Sequence, residues 1–326
     1  MKRLRIAVWG LGRHAIGKIL PAIAAADDLD LYGVCSRNKG SVGFCVDRWK
    51  CAGWTAPAPM LLDPRVDVVY VATPIGLHYD HGRQVLDAGK HLWCEKPLTS
   101  RLQDTLELLE SANRKGLSVC EGHMYLHHPQ FRKLSRDLGN GRIGALLSVE
   151  IRFGIPRLEQ PGFRTDPVLG GGALLDVGSY PISAIDALFP EENAVVRYAD
   201  INTPTGSRVD TGGHAIMVLS NDVVGYLEWR INCAYRNEID VWGTEGSIYS
   251  DRIFSKPDDH IPMFRLRNAR GLETTEYGEP GNHFLSMLQH FCHVARDSQA
   301  CEAERTRIAR RAEILHQVWT TRRTNK

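Results

Sequence analysis

Two glycines near the start of the chain stand in a pattern typical of phosphate binding. The strand-like run 5–9 leads into Gly10-Leu11-Gly12-Arg13-His14-Ala15, a G-x-G-x-x-A sequence, and then into a helix-like stretch. In such a turn Gly10 permits the sharp bend, Gly12 lets a pyrophosphate approach the backbone, and Ala15 lets the helix pack on the strand. The free amides at the helix start favour an anion. The residues predicted to bind a dinucleotide here are Gly10, Gly12, Arg13 and His14, the alternative being a glycine turn without a ligand.

The end of the second predicted strand distinguishes between the two nicotinamide dinucleotides. NAD sites usually carry an acidic residue about 20 residues after the glycines, which accepts a hydrogen bond from the ribose. This chain has Ser36-Arg37-Asn38-Lys39 there and no acid. Ser36 can donate to a 2′-phosphate, Arg37 can pair with it and stack on adenine, and Lys39 adds positive charge. We therefore expect NADP(H) in preference to NAD(H), and a solvated basic turn is the alternative.

A parallel sheet would bring these loops to one edge. Between residue 4 and about residue 121, short β-rich runs alternate with helix-like segments, the pattern of a doubly wound sheet. The predicted strands are 5–9, 30–35, 66–71, 91–94 and 118–121, and the predicted helices are 15–25, 40–49, 78–88 and 102–115. We assign residues 1–121 to an NADP-binding Rossmann domain, whose ligands bind at the carboxyl ends of the strands.

Longer alternating segments follow in residues 122–326, which we assign to a substrate-binding and oligomerisation domain. They predict an α+β domain with a large, mainly antiparallel, open-faced sheet. The predicted strands are 146–153, 214–220, 223–231, 239–242 and 247–250, and the predicted helices lie near 126–138, 173–188, 282–297 and 300–322. An uncovered apolar sheet face predicts a homodimer or homotetramer. The last residues, 322–326, are expected to be frayed.

Composition excludes several function classes. The 326 residues exceed the usual size of one hydrophobic core, and 40 basic against 38 acidic residues predict no nucleic-acid partner. No uncharged apolar stretch approaches the roughly 18 residues of a membrane span, which predicts a cytoplasmic protein without a membrane partner. The eight cysteines contain no C-x-x-C pair, so reduced thiols are expected. No metal is expected, because the histidines at 123, 127 and 128 have no nearby acid or cysteine to complete a ligand set.

Three further segments together resemble the Gfo/Idh/MocA oxidoreductase family over nearly the whole chain. They are Ala72-Thr73-Pro74 followed by His78, then Glu95-Lys96-Pro97, and then the segment 170–180, Gly-Gly-Gly-Ala-Leu-Leu-Asp-Val-Gly-Ser-Tyr. The resemblance implies a loop beside the nicotinamide ribose and a signature loop in which the lysine contacts substrate and nicotinamide. The residues it adds to the predicted cofactor site are Thr73, Pro74, His78, Glu95, Lys96 and Pro97.

The third segment departs from the commonest family pattern. Asp176 matches the family's aspartate near the reacting carbon, but Tyr180 stands where many members carry the acid/base histidine, and Ser183 replaces a final aspartate. A tyrosine there resembles glucose-fructose oxidoreductase, dihydrodiol dehydrogenase and the nucleotide-sugar 3-ketoreductases. The resemblance therefore implies a sugar-like or polyol-like substrate.

Lys96, Tyr180 and Asp176 are the predicted catalytic residues. Hydride transfer at a carbinol carbon needs one group to move a proton and another to stabilise charge on oxygen. A tyrosine has an unperturbed pKa of about 10, which an adjacent ammonium would lower. Asp176 precedes Tyr180 by four residues, so both would project from one helix face. As alternatives, Asp176 serves the helix dipole and Tyr180 is a core aromatic.

The remaining site predictions concern the substrate. We expect His127 or His128 to line the pocket, and Tyr235 and His283 to belong to it by resemblance only. Arg164 could bind a phosphate of a nucleotide-linked substrate, with a surface ion pair as the alternative of equal weight. The sequence thus predicts an NADP(H)-dependent oxidoreductase that reduces a keto-sugar, with nucleotide-linked sugars among the candidates. Oxidation of an aldose or a trans-dihydrodiol is the enzymatic alternative, and a non-catalytic NADP-sensing regulator is the alternative of another class.

Overall fold

The computed structural model describes residues 2–323 and divides into two compact units. The first consists of Met1–His123 and Phe284–Ala309, and the second of Met124–His283 and Arg310–Lys326. Thr324–Lys326, the end of the segment expected to be frayed, lie outside the described residues. Arg322, within that segment, forms a bridge with Ala199.

The first unit is built on a six-stranded, entirely parallel sheet. Its strands are β1 (Leu4–Trp9), β2 (Leu29–Cys35), β3 (Ala52–Trp54), β4 (Val68–Val71), β5 (His91–Cys94) and β6 (Val119–Glu121). Their order is β3-β2-β1-β4-β5-β6, which confirms the doubly wound Rossmann prediction. The order reverses between β1 and β4, and ligands of such sheets bind at that reversal, beyond the carboxyl ends of the strands.

Helices cover the sheet of the first unit. They are a π-helical turn at Ala15–Ile19 continued by α1 (Leu20–Ala24), α2 (Lys39–Trp49), α3 (Pro57–Leu62), α4 (His78–Asp87) and α5 (Leu102–Lys115). Strand β4 is buried along its whole length, as parallel strands covered on both faces are. The sequence analysis missed β3 and α3, which have three and six residues, because elements this short contain too little periodicity to recognise.

The second unit contains an eight-stranded mixed sheet. Its strands are β7 (Leu146–Ile155), β8 (Ala194–Asn202), β9 (Gly212–Leu219), β10 (Val224–Ile231), β11 (Arg236–Gly243), β12 (Gly246–Asp251), β13 (Met263–Asn268) and β14 (Glu273–Tyr277). The order is β14-β13-β12-β11-β7-β10-β9-β8. Only β7 and β10 pair in parallel, which confirms a mainly antiparallel sheet. The sequence analysis missed β8, β13 and β14.

The two faces of this sheet differ in their exposure to solvent. Helix α6 (Pro129–Gly139) and α7 (Ser179–Leu188) belong to the same unit, and Gly178 just before α7 packs against the fully buried Trp229 of β10. On another strand Trp242 is 59% exposed. Among the described residues, one helical stretch, Pro167–Leu188, has the length and hydropathy of a membrane span, and 72% of its apolar window is buried inside the fold.

The last two helices, α8 (His283–Arg296) and α9 (Ser298–Thr321), correct the predicted domain assignment. The sequence analysis gave all of 122–326 to the second domain, whereas Phe284–Ala309 packs with the first unit. The physical reason is apolar burial: Phe291 stacks edge-on against Trp93 of β5, and Ile308 joins the core beneath the parallel sheet. Sequence order alone does not reveal such a return of the chain.

Candidate active site

The glycine turn after β1 has the geometry that the sequence predicted. Gly10 has φ = 108°, and a Cβ added there would lie 2.6 Å from the carbonyl oxygen of Ala72, so only glycine fits beside the end of β4. Gly12 differs, because a Cβ there would meet no atom within 4 Å. The backbone of Gly12 therefore faces open space, which is what the approach of a pyrophosphate requires.

His14 and Glu95, two residues predicted to contact the cofactor, bind each other. Nε2 of His14 lies 3.1 Å from Oε1 of Glu95, which also accepts a 2.7 Å hydrogen bond from the Tyr70 hydroxyl. Burial raises the pKa of the Glu95 carboxyl, but His14, Tyr70 and Lys96 outweigh burial and hold it at about 2. Burial lowers the pKa of His14, and Glu95 raises it by more. A partly buried, ionised carboxylate thus lies at the carboxyl end of β5.

The loop that bears Lys96 is held by a second buried carboxylate. The Lys96–Pro97 peptide bond is cis, and Lys96 is 9% exposed. The amide of Leu98, the residue after Pro97, donates a 2.7 Å hydrogen bond to Oε1 of Glu121. Glu121 is the last residue of the neighbouring strand β6. Nε2 of His123 lies 3.4 Å from the other oxygen of Glu121. The sequence analysis did not identify Glu121, although its place at a strand end beside the signature loop is a usable signal.

His78 connects two loops of the same sheet edge. Its Nε2 lies 2.8 Å from the carbonyl oxygen of Thr73, and its Nδ1 lies 3.0 Å from that of Pro97. The ring is buried, and burial lowers its pKa despite these two backbone contacts. The loops after β4 and β5, which contain Thr73, Pro74 and the Glu95-Lys96-Pro97 signature, are therefore fixed relative to each other.

His81 is a residue that the sequence analysis missed. Its Nδ1 lies 3.0 Å from the Thr73 hydroxyl, and its ring stacks on Trp9 with 3.9 Å between centroids. Burial and the charges of His78 and Arg37 lower its pKa to about 4, so the ring is neutral at physiological pH. The spacing of two histidines three residues apart at the start of α4 was the available signal.

The basic turn after β2 is exposed and ready for an anion. Arg37 and Lys39 are exposed, and among residues 2–323 no carboxylate forms an ion pair with either of them. The hydroxyl of Ser36 accepts a 3.2 Å hydrogen bond from the Asn38 amide, and Asn38 in turn caps α2. Ser36, Arg37 and Lys39 thus lie on a short structured turn at the carboxyl edge of the sheet.

In the second unit, Tyr180 is enclosed by aromatic rings. Its ring centroid lies 5.0 Å from that of Phe153, 5.4 Å from Phe254 and 5.8 Å from Tyr125. The Tyr180 hydroxyl lies 3.7 Å from the sulfur of Met124. The alternative that Tyr180 is a core aromatic is thus partly correct, because the ring is buried and packed. A weak sulfur acceptor is nevertheless an unusual partner for a buried phenol.

Asp176 and Arg164, predicted for separate roles, form an ion pair. Both Nε and Nη2 of Arg164 face the carboxylate, and Nη2 lies 3.4 Å from Oδ1. Asp176 is buried one helical turn before Tyr180. Arg164 therefore already has a partner in this structure, as the ion-pair alternative of the sequence analysis stated.

Asp210 supports the start of the helix that carries Asp176. Its Oδ2 accepts a 2.8 Å hydrogen bond from the Leu174 amide. A Cβ on Gly172, which has φ = 115°, would lie 2.2 Å from Oδ1 of Asp210, so only glycine lets the two segments meet. Burial raises the pKa of the Asp210 carboxyl to about 6 in spite of this hydrogen bond.

A cavity of about 480 Å³ lies in the second unit beside Arg164. It begins where β7 and β10 end, at Ile155 and Ile231, and its other lining residues include Arg157 and Asn232. Of the two remaining predicted substrate residues, His127 ends a 3-10 turn at Met124–His127. Tyr235 is exposed, and its hydroxyl donates a 3.4 Å hydrogen bond to the Ser255 carbonyl. Neither residue lines this cavity.

The fold and these strand-end loops define a class: a Rossmann-type NAD(P)-dependent oxidoreductase with a second α+β domain. Comparison with known proteins agrees. Residues 4–123 match the oxidoreductase family with an NAD-binding Rossmann fold, and residues 131–249 match the GFO/IDH/MocA C-terminal domain. The chain belongs to the Gfo/Idh/MocA family, as its motifs indicated.

Three relatives illustrate what the chain is similar to. A dTDP-3,4-didehydro-2,6-dideoxy-alpha-D-glucose 3-reductase of Streptomyces violaceoruber is 33% identical, over 84% of this chain and 80% of the relative. A D-xylose 1-dehydrogenase (NADP(+)) of Haloferax volcanii is 27% identical, over 90% of each chain. The crystal structure of KijD10, a 3-ketoreductase from Actinomadura kijaniata in complex with NADP and TDP-benzene, has a TM-score of 0.94 at 28% identity, covering 99% and 98% of the two chains.

Proposed function

We propose that the protein uses NADPH to reduce the keto group of a nucleotide-linked sugar. Four features at one sheet edge support this: the open Gly12 backbone, the unpaired Arg37, the linked loops after β4 and β5, and the buried Lys96. The choice of NADP(H) is supported by the exposed basic turn, whose Arg37 and Lys39 form no ion pair with a carboxylate among residues 2–323. The choice of substrate is supported by the 33% identity to a dTDP-keto-sugar 3-reductase.

The residues present fit NADP(H). Gly12 leaves the space that a side chain would fill, at a helix start that favours a pyrophosphate. Arg37 and Lys39 supply two cations for a 2′-phosphate, and Ser36 supplies a hydroxyl. Bound NADPH would provide a hydride for the carbonyl carbon. Thr73, Pro74 and His78 would hold the loop beside the nicotinamide ribose, and His78 contacts the Thr73 and Pro97 carbonyls.

Two side chains complete the proposed reduction. The hydroxyl proton of Tyr180 goes to the carbonyl oxygen, so that hydride and proton together convert the ketone into a secondary alcohol. The ammonium of Lys96 stabilises the negative charge that develops on that oxygen. A phenol of ordinary pKa carries its proton at neutral pH, which suits the reductive direction. The Arg164–Asp176 pair, which borders both the cavity and the helix of Tyr180, would orient hydroxyl groups of the sugar.

The test is cofactor-coupled turnover. NADPH and a dTDP-linked 3-keto-sugar are mixed with the full chain, and the loss of NADPH absorbance is followed together with the appearance of the sugar alcohol. Stoichiometric conversion is expected. NADPH that binds but is not oxidised by any keto-sugar would contradict the proposal. The similarity to a xylose dehydrogenase makes oxidation of aldoses with NADP⁺ the second candidate, and the same assay run with aldoses measures it.

We also propose that a second copy of the chain covers the uncovered face of the eight-stranded sheet. That face mixes exposed Trp242 with opposite charges, since Arg152 lies within ion-pair distance of Glu150 and Glu238. Such a face can complement itself around a two-fold axis. Light scattering after gel filtration should show a dimer or tetramer, and Trp242→Lys should dissociate it. Trp319→Lys, which alters another exposed tryptophan, should not; a wild-type monomer would contradict this proposal.

A further inference from the structure

A buried basic cluster lies in the second unit around His128, one of the two histidines predicted as alternatives for the substrate pocket. Lys256 is 7% exposed, and its Nζ donates a 2.8 Å hydrogen bond to the Ile253 carbonyl. His128, at the amino end of α6, is fully buried, and His260 belongs to the same connection between β12 and β13 as Lys256. Lys256 and His260 both act electrostatically on His128, so the three groups are neighbours.

The cluster contains hydrogen-bonding groups that the protein itself leaves unused. Nδ1 of His128 accepts a 3.0 Å hydrogen bond from the Gln130 amide, so the ring proton is on Nε2. Within residues 2–323 the buried Nε2 of His260 has no hydrogen-bond partner, and the His128 ring interacts only weakly with the Gly281 backbone. Buried polar atoms are nearly always satisfied in folded proteins. These nitrogens therefore indicate a ligand or ordered water.

The charges of the cluster indicate which class of ligand it would bind. An ammonium has three N–H groups, and Lys256 uses one of them on a carbonyl, so two remain beside two imidazole nitrogens. Burial lowers the pKa of Lys256 to about 7. The acids near His260 are Asp251 and Asp259, and Arg252 offsets them. A cluster of buried donors with so little negative charge disfavours a cation and suits an oxyanion.

The position of the cluster relates it to the proposed substrate. Lys256 comes two residues after Phe254, whose ring packs on Tyr180 at 5.4 Å. Two residues span at most about 7 Å, so the cluster is close to the residue that we propose as proton donor. We propose that Lys256, His128 and His260 bind the diphosphate of the nucleotide-linked sugar. This inference rests on the proposed function, because it assigns a place to one part of that substrate.

Binding of an oxyanion to this cluster should be coupled to uptake of a proton, which a purely structural role of Lys256 would not produce. An oxyanion beside Lys256 raises the pKa of the ammonium, so the neutral fraction of Lys256 present at about pH 8 takes up a proton when the anion binds. Calorimetry in buffers of different ionisation enthalpy measures this uptake. The probe is thymidine diphosphate, and the full chain is first saturated with NADP⁺ so that the dinucleotide site is occupied. Thymidine and inorganic pyrophosphate are titrated in parallel.

We expect thymidine diphosphate, but not thymidine, to bind with uptake approaching one proton at about pH 8. Lys256→Met should weaken binding about 10–100-fold and abolish the uptake. Lys256→Arg keeps a charge that does not titrate, so it should restore binding without proton uptake. Lys133→Met is the matched control, because Lys133 is a half-buried lysine of the same unit that already pairs with Asp137 and Glu276. Thermal melting of each variant identifies a failure to fold.

Three outcomes would overturn the proposal. If Lys256→Met folds and binds thymidine diphosphate like wild type, the diphosphate binds elsewhere and the proposed function survives. Pyrophosphate binding that depends on Lys256, without binding of the nucleotide, makes the cluster a site for free anions. If no probe binds while NADPH still reduces a keto-sugar, ordered water fills the cluster. Failure of the proposed function itself is separate, because it appears as absent NADPH oxidation.

Discussion

The two units hold their functional side chains by different means. In the first, the side chains lie on short loops after parallel strands, and polar contacts connect those loops: Tyr70 to Glu95, Glu121 to Leu98, and His78 to two backbone carbonyls. In the second, Tyr180 lies on a helix within a group of aromatic rings, and the basic groups Lys256 and His260 lie near His128. Loops that are held in place by hydrogen bonds suit the binding of a cofactor whose structure does not vary. An apolar pocket that also contains hydrogen-bond donors suits a substrate whose polar groups can accept hydrogen bonds from them.

Replacing Lys96 should have the largest effect on the polar side of this comparison. Lys96→Met removes the proposed oxyanion stabiliser and should lower kcat about 10²–10³-fold. Lys90→Met is the matched control, since Lys90 is also 9% exposed and donates to the Asp63 carbonyl away from the strand-end loops. Steady-state kinetics of both variants measure the difference. Equal losses would mean that burial of a lysine, and not its chemistry, accounts for the effect.

The basic turn should determine which dinucleotide binds. Arg37→Ala is expected to weaken NADPH binding about 10–100-fold and to leave NADH binding within about twofold, because pairing with the 2′-phosphate, which NADH lacks, should contribute more than stacking on adenine. Fluorescence titration with each cofactor measures this. Arg48→Ala, which removes an exposed arginine that stacks on Trp49 in α2, should change neither affinity. A parallel loss of NADPH and NADH affinity in Arg37→Ala would assign the residue to adenine stacking alone.

A pair of tyrosines tests whether the polar connections at the sheet edge matter. Tyr70→Phe removes a hydrogen bond to the partly buried Glu95 carboxylate and should lower the free energy of unfolding by about 2 kcal/mol, with a several-fold loss of cofactor affinity. Tyr79→Phe removes a similar hydrogen bond to Glu107 on the surface and should have almost no effect. Denaturant unfolding of both variants gives the comparison. Similar losses would show that the connection to Glu95 has no special role.

The smallest expected effect concerns Asp210 beneath the helix of Asp176. Burial raises the pKa of its carboxyl to about 6, so between about pH 4 and pH 6 the folded state binds more protons than the unfolded state. This residue therefore makes stability fall as the pH rises through that window and stay level above it. Asp210→Asn should remove that slope and stabilise the protein at neutral pH by up to about 2 kcal/mol. Thermal melts at several pH values measure it, and an unchanged slope would contradict the assignment.

The site residues of the first unit were easier to predict from the sequence than those of the second. Gly10, Gly12, Ser36 and Arg37 could be located because each has a fixed place relative to a strand end. His81, Tyr70 and Glu121 were missed, since their partners are brought together only by strand order. In the second unit the surroundings of Tyr180 come from Phe153 on β7, Phe254 after β12 and Met124 before α6. No local spacing encodes contacts between such distant positions.

The prediction of the fold from the sequence was limited in a similar way. Alternating strands and helices predicted the doubly wound sheet, and five of its six strands were found, because buried parallel strands give strong apolar runs. Strands β8, β13 and β14, which include both edges of the second sheet, were missed because one or both of their faces are partly exposed, which weakens the apolar alternation. The return of Phe284–Ala309 to the first unit depends on contacts with Trp93 and the core, which composition does not reveal.

The most direct test of the central claim is a single turnover with Tyr180→Phe, because this variant keeps the aromatic ring and removes only the proposed proton. NADPH-loaded wild-type protein should oxidise its cofactor on mixing with a dTDP-linked keto-sugar. The variant should bind both molecules with unchanged affinity and oxidise NADPH at least about 100-fold more slowly. Oxidation by the variant at the wild-type rate would show that another group supplies the proton and would contradict the account.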